Sequence, residues 1–195
     1  MKKKMKPRII AVEGFDGAGK TTLSKYINDF FDYEYHKSPT GVFANVRNEF
    51  DKNEVSLTER LPFYIGDCIR VSLMISELEN QKFVLDRYYF STIVYHESKQ
   101  KGITKSLINV FKELYQPDLV FLIKTDFNIL KKRIDLREEK SLNDELFLKE
   151  DLYNSIYELF TNCIKTDVYV IDNNGTLEDS KKQISNVLKN LYNCE

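Results

Sequence analysis

The amino-acid sequence predicts an α/β fold, in which a five-stranded parallel β-sheet is flanked by helices to give three layers. Three observations lead to this prediction. Five short apolar runs recur along the chain, segments of helical period separate them, and the length of 195 residues allows one substantial core. Near-continuous apolar strands are typical of parallel sheets that helices cover on both faces. We therefore expect a single domain that spans residues 1–195.

Each predicted strand is an apolar run with polar or turn-forming residues at its end. The first run ends in a glycine, and Pro39 stops the second because proline cannot donate to a strand ladder. The fifth run includes the turn that follows it. In chain order the strands are predicted at 8–14, 33–39, 82–86, 117–126 and 167–176.

The segments between these strands carry apolar residues at helical spacing. In the longest of them Pro62 is expected in the first turn, where a missing N–H group loses no helical hydrogen bond. The first segment places four apolar residues on one face, namely Leu23, Ile27, Phe30 and Phe31. The predicted helices are 20–31, 41–50, 57–80, 88–100, 106–115, 127–137, 146–164 and 177–192, with a polar stretch at 138–145.

Charge and composition exclude several classes of protein. The formal net charge is −1, so no global basic field indicates nucleic-acid binding. No window approaches the ~18 apolar residues of a membrane span, and the basic run at 1–8 lacks the apolar region of a secretory signal. The cysteines at 68, 163 and 194 match no zinc or disulfide spacing, and we expect Cys68 and Cys163 in the core. A cytoplasmic location is the simplest reading.

A glycine-rich loop follows the first predicted strand. Residues 14–21, GFDGAGKT, fit the pattern G-x-x-x-x-G-K-[S/T] between a strand and a helix, which predicts a P-loop NTPase fold. Glycines let backbone amides surround phosphate oxygens, and the helix directs its positive dipole end at the same anion. Lys20 can reach the β- and γ-phosphates of ATP, and Thr21 can bind Mg²⁺. The residues predicted to hold the nucleotide here are Gly14, Gly17, Ala18, Gly19, Lys20, Thr21 and Thr22.

Polar side chains follow the other apolar runs, at the edge where parallel sheets bind their ligands. Asp86 ends the third strand, where a carboxylate can hold magnesium or orient an attacking phosphate. Arg87 adds a charged fork that suits the phosphate of an acceptor. An ion pair between Asp86 and Arg87 at the strand end is the alternative interpretation.

Four stretches match one family in order and spacing over almost the whole chain. They are EGFDGAGKTT at 13–22, DRYYFSTIVYH at 86–96, PDL at 117–119 and IDNNGTLED at 171–179. With them the chain resembles the thymidylate kinase family of nucleoside monophosphate kinases. The resemblance implies phosphoryl transfer from ATP, with Mg²⁺, to a small nucleotide acceptor, with dTMP as the first expectation. It also implies a homodimer, which is the habit of the family.

The resemblance assigns further residues to the acceptor and to the donor. Asp16 would accept a hydrogen bond from a sugar hydroxyl, although a turn aspartate is the alternative. Arg47 would join Arg87 at the acceptor phosphate, Phe63 would stack on the base, and Tyr95 would lie near the acceptor. A surface arginine and core aromatic residues are the alternatives. The adenine would be bordered by Asp172, Asn173 and Thr176.

The catalytic residues implied by the resemblance include a lid. The lid falls at about 134–150, with Arg133 and Arg137 on the helix leading into it. These two arginines would neutralise the transferring phosphoryl group together with Lys20 and Arg87, while Asp86 sets the magnesium. The family pattern D-R-x-E in this region appears here as DELFLKED at 144–151, without its arginine.

A second departure from the family lies at the acceptor base. The arginine of the family's F-x-x-x-R pattern is replaced by Asp67, or by Cys68 if one residue is inserted. Arg70, one helical turn away, is the substitute we predict, and His96 replaces a family glutamine. Two further functions stay open at this point. They are a deoxynucleoside kinase and a degenerate phosphate-loop protein that binds nucleotide as a regulatory module.

Overall fold

The computed structural model of the chain describes residues 6–53, 55–136 and 149–192. Within those ranges five strands form one parallel sheet: β1 Ile9–Gly14, β2 Glu34–Lys37, β3 Phe83–Asp86, β4 Leu119–Lys124 and β5 Asp167–Asp172. Their order in the sheet is β2-β3-β1-β4-β5. The predicted α/β fold is confirmed, and β1 lies at the centre of the sheet.

The predicted helices are confirmed with shifted ends. They are α1 Lys20–Phe31, α2 Val42–Lys52, α3 Leu57–Glu77, α4 Tyr89–Lys99, α5 Ile108–Glu113, α6 Phe127–Asp135, α7 Glu150–Cys163 and α8 Leu177–Tyr192, with a short 3-10 helix at Lys105–Leu107. None of the helices in the described ranges is long and apolar enough to cross a membrane. Residues 137–148, which hold most of the predicted lid, lie outside the described residues.

The core surrounds the three inner strands. Ile9, Ile10, Ala11 and Val12 of β1 have no exposed surface, because neighbouring strands flank them and helices cover both faces. The edge strand β5 differs, since Val168 and Val170 are 42% and 56% exposed. Coverage on both faces therefore holds for the inner strands but not for β5. Cys68 is buried as predicted, whereas Cys163 is half-buried.

Two local predictions are wrong. Phe30 is 70% exposed, because Leu23, Ile27 and Phe31 follow the i, i+4 row that faces the core and Phe30 lies beside that row. Pro62 lies in the second turn of α3 and not in the first. The Ser56–Glu59 capping box fixes the start of this helix at Leu57, as predicted, so that Pro62 is its sixth residue.

Candidate active site

The phosphate loop connects β1 to α1 through two glycines whose conformations exclude other residues. Gly14 has φ 141° and Gly19 has φ 97°. A Cβ atom would lie 2.5 Å from the Ile123 carbonyl oxygen at Gly14, and 2.5 Å from Asn173 Nδ2 at Gly19. The bend of the loop therefore depends on the glycines that the motif requires.

The backbone amides of the loop differ in their hydrogen bonds. Among the described residues, the amides of Gly17, Gly19 and Lys20 have no backbone acceptor, whereas the Ala18 amide bonds to the Phe15 carbonyl at 3.2 Å. The helix α1 begins at Lys20, so its positive dipole end adds to the same place. This is the arrangement that surrounds phosphate oxygens in nucleotide-binding loops.

Side chains that directly follow β4 and β5, and one from α8, support the loop from behind. The Ala18 carbonyl accepts hydrogen bonds from Asn173 Nδ2 at 2.7 Å and from Thr125 Oγ1 at 3.3 Å. The Asn173 Oδ1 atom accepts from the Ser180 hydroxyl at 2.7 Å. Arg133 donates to the Asn173 carbonyl at 2.9 Å, which places this arginine beside the loop. The buried amide of Asn173 therefore supports the loop, and its predicted place at the adenine stays a prediction.

Lys20 folds back onto the loop. Its Nζ atom donates to the Phe15 carbonyl at 2.6 Å, and the side chain is 5% exposed. Burial, and after it the Arg87 charge, lower the pKa of Lys20 to about 7, although Asp16 and Asp86 oppose the shift. A phosphate anion beside this ammonium would raise the pKa again, so nucleotide binding is coupled to the charge of Lys20.

Thr21 and Asp86 converge across the sheet. The Thr21 hydroxyl donates to Asp86 Oδ2 at 2.5 Å, and the Tyr35 hydroxyl donates to the same oxygen at 3.1 Å. Hydroxyl and carboxylate oxygens are the hard ligands that Mg²⁺ prefers, so these residues fit the predicted metal. Sequence reasoning missed Tyr35, because no local pattern connects a residue of β2 with the end of β3.

A cavity opens beside the phosphate loop. Its empty space measures about 790 Å³, part of which is open solvent. Four of the predicted acceptor residues line it, namely Asp16, Arg47, Arg87 and Tyr95. The charged side chains of its lining are basic in excess: Arg47, Arg60, Arg87 and Lys99 against Asp16 and Asp67. This excess suits an anionic ligand.

Arg87 is held in a strained and directed conformation in this cavity. Its φ of 73° lies in the left-handed region, a state that costs about 1–3 kcal/mol and is concentrated at functional sites. Its Nη2 atom pairs with Asp16, its Nη1 atom donates to the Ser91 hydroxyl at 3.0 Å, and the guanidinium lies 5.3 Å from the Tyr95 ring centroid. The guanidinium thus pairs with Asp16. The alternative interpretation, an ion pair at the strand end, required a pair with Asp86.

Phe63, the predicted base-stacking residue, packs among other aromatic side chains. Phe63 packs against Phe43 and Phe50, with ring centroids 5.5 Å and 5.0 Å away, and it is outside the set of described residues that line the cavity. Its neighbour Tyr64 does line the cavity. An aromatic side chain is therefore present at this position, but it comes from the next residue of α3.

The predicted base-reading arginine is engaged by its neighbours. Arg70 Nη2 donates to Asp67 Oδ1 at 2.7 Å and to the Thr40 hydroxyl at 2.8 Å. Asp67 is 1% exposed and lines the cavity, whereas Arg70 is outside the described lining. Buried His96 also lines it, with Nδ1 bonded to the Thr92 carbonyl at 2.7 Å, and burial lowers its pKa. Asp67 and His96 therefore present hydrogen-bond acceptors where the sequence predicted an arginine.

The remaining predicted residues lie at the edges of the site. Asp172 Oδ1 accepts from the Asn174 amide at 2.9 Å, and Thr176 exchanges hydrogen bonds with Asp179 at the start of α8. These are contacts of a turn and a helix cap. Thr22 lies exposed in the first turn of α1. Arg137 lies outside the described residues.

Sequence reasoning also missed Glu13. This residue has no exposed surface, and burial raises its pKa to about 7. A signal was present, since Glu13 is the one charged residue of the apolar run 9–14. A buried carboxylate needs compensating partners, so its position before the loop indicated an internal network.

The sheet order, the glycine loop and the convergence of Lys20, Thr21 and Asp86 define a P-loop phosphotransferase that acts on nucleotides. The family model of thymidylate kinase matches residues 12–184. The chain therefore belongs to the thymidylate kinase family, whose members are nucleoside monophosphate kinases.

Similar proteins extend over the same length. A probable thymidylate kinase of Archaeoglobus fulgidus is 28% identical over 197 residues, covering 96% of this chain and 97% of the relative. The thymidylate kinase of Brachyspira hyodysenteriae is 30% identical and covers 91% and 96%. The solved thymidylate kinase of Candida albicans has a TM-score of 0.75 at 20% identity, covering 97% and 94%. Deoxyadenosine kinase from M. mycoides has a TM-score of 0.66 at 17% identity, covering 93% and 99%. The two structures share the fold.

Proposed function

We propose that this chain catalyses Mg²⁺- and ATP-dependent phosphoryl transfer to a deoxynucleoside monophosphate, with dTMP as the acceptor and dTDP as the product. The single observation that carries the proposal is the cavity that brings Arg47 and Arg87 together beside Asp16 of the phosphate loop. Two arginines next to a triphosphate-binding loop suit an acceptor that carries its own phosphate. Family membership and the names of the relatives support dTMP in particular.

The donor phosphates are held by the loop amides and by Lys20. Thr21 and Asp86 would hold Mg²⁺, which would supply positive charge to neutralise the donor phosphates. The attacking group is a phosphate oxygen of the acceptor, which is already ionised. The site therefore needs position and positive charge rather than a general base. The γ-phosphoryl group moves to that oxygen, and ADP is the leaving group.

The acceptor lies in the cavity with its phosphate at Arg87 and Arg47. The planar fork of Arg87 can give two parallel hydrogen bonds to phosphate oxygens, and the Asp16 contact aims it. Asp16 accepts a hydrogen bond from the sugar hydroxyl, and the Tyr95 ring lies beside the sugar. Arg133 and Arg137 complete the charge around the transferring group, with Asp172 and Asn173 on the adenine side.

Selection of the base belongs to the other end of the cavity. Phe63 or Tyr64 takes the family role of stacking on the base. Arg70 forms the hydrogen bonds that select the base, after its ion pair with Asp67 breaks. Buried polar groups of this kind discriminate strongly between bases, because the wrong base leaves them unpaired.

A coupled assay of ADP formation tests the proposal. The purified chain is given ATP, Mg²⁺ and each of dTMP, dUMP, dCMP, dAMP, dGMP and thymidine. We expect the highest kcat/KM with dTMP, no turnover with thymidine, and no turnover after chelation of Mg²⁺. Faster turnover with thymidine than with dTMP would indicate a nucleoside kinase. ATP binding without turnover of any acceptor would indicate a binding module.

Two further properties follow from the family. We infer a homodimer, which sedimentation velocity tests, and a cytoplasmic location without a nucleic-acid partner. A monomer that is fully active would contradict the first of these inferences.

A further inference from the structure

Glu13 is a buried carboxylate with two directed contacts. Its Oε1 atom accepts a hydrogen bond from the Tyr88 amide at 2.8 Å, and its Oε2 atom accepts from the Ser91 hydroxyl at 2.5 Å. Both partners, Tyr88 and Ser91, lie within four residues after Arg87. Glu13 therefore connects the central strand with the beginning of α4.

The Ser91 hydroxyl links Glu13 to the side chain of Arg87. While it donates to Glu13, it accepts from Arg87 Nη1 at 3.0 Å. The second terminal nitrogen of Arg87 pairs with Asp16. The guanidinium is therefore held between two carboxylates, one in direct contact and one acting through a hydroxyl. Such a pair of contacts fixes the plane of the fork as well as its position.

Glu13 also holds the backbone of Arg87. The Arg87 amide donates to the Val12 carbonyl at 3.1 Å, and the next amide, that of Tyr88, donates to Glu13. Consecutive residues of β1 thus bind the amides on both sides of the Arg87 α-carbon. These bonds maintain the left-handed φ of 73° from which the side chain enters the cavity.

Packing does not require a carboxylate at this position. The other side chains of β1 are apolar and fully buried, and an apolar residue would fill the same space. Burial of a charge is unfavourable unless partners compensate for it. The pKa of Glu13 shows both effects, since burial raises it while Ser91, Arg87 and the Tyr88 amide lower it. Perturbed carboxylates beside a cleft are concentrated at functional sites.

We propose that Glu13 is a positioning residue that, through Ser91 and the Tyr88 amide, sets Arg87 to receive the phosphate of the acceptor. The inference rests on the proposed function, since it takes Arg87 as a contact of that phosphate. Glu13 itself lies behind Arg87 and does not contact the acceptor.

The test compares the binding of dTMP with that of thymidine, by calorimetry without ATP. The ratio of the two affinities isolates the contribution of the phosphate. We expect E13Q and S91A each to weaken dTMP binding about 10-fold, as for loss of a hydrogen bond to a charged group. Thymidine binding stays unchanged. Ser91→Thr keeps the hydroxyl and restores the affinity for dTMP. Unchanged dTMP affinity in both variants, or an equal loss for thymidine, would overturn the inference.

Tyr33→Phe is the matched control for stability. The Tyr33 hydroxyl donates to the Pro7 carbonyl at 2.5 Å. Tyr33 directly precedes β2, so it lies at the amino ends of the strands, opposite the candidate site. Its loss should lower the melting temperature and leave dTMP binding unchanged. If Y33F weakened dTMP binding as much as S91A does, the effect would be one of stability, and the inference would fail.

Turnover measured in parallel separates the two claims. If dTMP binds with the expected pattern among the variants but is not phosphorylated, the proposed function fails and the role of Glu13 stands. If dTMP is phosphorylated but the pattern is absent, the role of Glu13 fails alone. Absence of dTMP binding by the unaltered chain would overturn both.

Discussion

The phosphate loop and the base end of the acceptor cavity lie at the same edge of the sheet, but they depend on the sequence in different ways. In the loop the ligand groups are backbone amides, and the motif residues take up the geometry that the motif implies. At the base end the ligand groups are side chains from separate helices. There Asp67 and Tyr64 line the cavity where Arg70 and Phe63 were predicted.

This difference shows which part of a site a short motif determines. Backbone amides are present in every residue, so the spacing of glycines is sufficient to aim them. Side chains at the base end acquire their directions from neighbours far away in sequence, such as the contact between Arg70 and Thr40. The two regions should therefore respond differently to substitution.

The largest effect is expected from Gly19→Ala. The added Cβ would lie 2.5 Å from Asn173 Nδ2 at a φ of 97°, so the loop must move away from its support. We expect ATP affinity and kcat/KM to fall by at least about 100-fold, the loss typical of removing preorganised donors. Calorimetry with ADP and the coupled assay measure these quantities.

Gly102→Ala is the control for this variant. Gly102, like Gly19, has a positive φ, of 83°. A Cβ atom added at Gly102 would have no other atom within 4 Å. It should lower the stability by about 1 kcal/mol and leave ATP binding unchanged. Equal losses of ATP affinity in both variants would mean that backbone strain, rather than the shape of the loop, explains the result.

A smaller effect is expected from Arg47→Ala. This change removes one cation from the cavity lining, and the KM for dTMP should rise about 10- to 100-fold, as when a charged hydrogen bond is lost. The KM for ATP should change little. Lys52→Ala, an exposed cation at the end of the same helix, is the control and should alter neither value. A rise in the KM for ATP equal to that for dTMP would place Arg47 on the donor side.

Arg70→Gln tests the base end, with a smaller expected effect. If Arg70 leaves Asp67 to read the base, the ratio of kcat/KM for dTMP to that for dCMP should fall about 10-fold. Total activity should fall less than it does in the Arg47 variant. An unchanged ratio would assign base selection to Asp67 and His96, which already line the cavity.

The smallest effect is a proton uptake on nucleotide binding. Burial and Arg87 lower the pKa of Lys20 to about 7. The contribution of Lys20 to the free energy of unfolding is therefore present at pH values above the ordinary lysine pKa, and it is lost as the pH falls towards 7. At pH 8 most Lys20 is neutral, and a bound phosphate restores the ammonium. Binding of ADP should then take up part of a proton, up to about one.

Calorimetry in two buffers of different ionisation enthalpy measures this uptake. The uptake should decrease as the pH falls below 7, where Lys20 already carries its charge. Lys25→Met, an exposed position on the same helix, should leave the uptake unchanged. Release of protons, or a buffer-independent enthalpy at pH 8, would contradict the shifted pKa.

Particular residues show what the sequence could predict. The run at 9–14, the glycines of the loop and the order of the elements follow from local pattern, and each was predicted. The resemblance places Asn173 at the adenine, but its contact with Ala18 could not be predicted, because it joins residues far apart in the chain. Tyr35 was missed for the same reason, whereas Glu13 was missed although it is the one charged residue of the run 9–14. Periodicity gives the face of an element, whereas a hydrogen-bond partner across the sheet depends on the assembled structure.

The most direct test of the central claim is a crystal structure of the chain with ADP and dTMP. We expect the β-phosphate of ADP within the loop amides and beside Lys20, and the dTMP phosphate within hydrogen-bond distance of Arg47 and Arg87. A dTMP phosphate bound outside this cavity, or ADP bound away from residues 14–21, would contradict it.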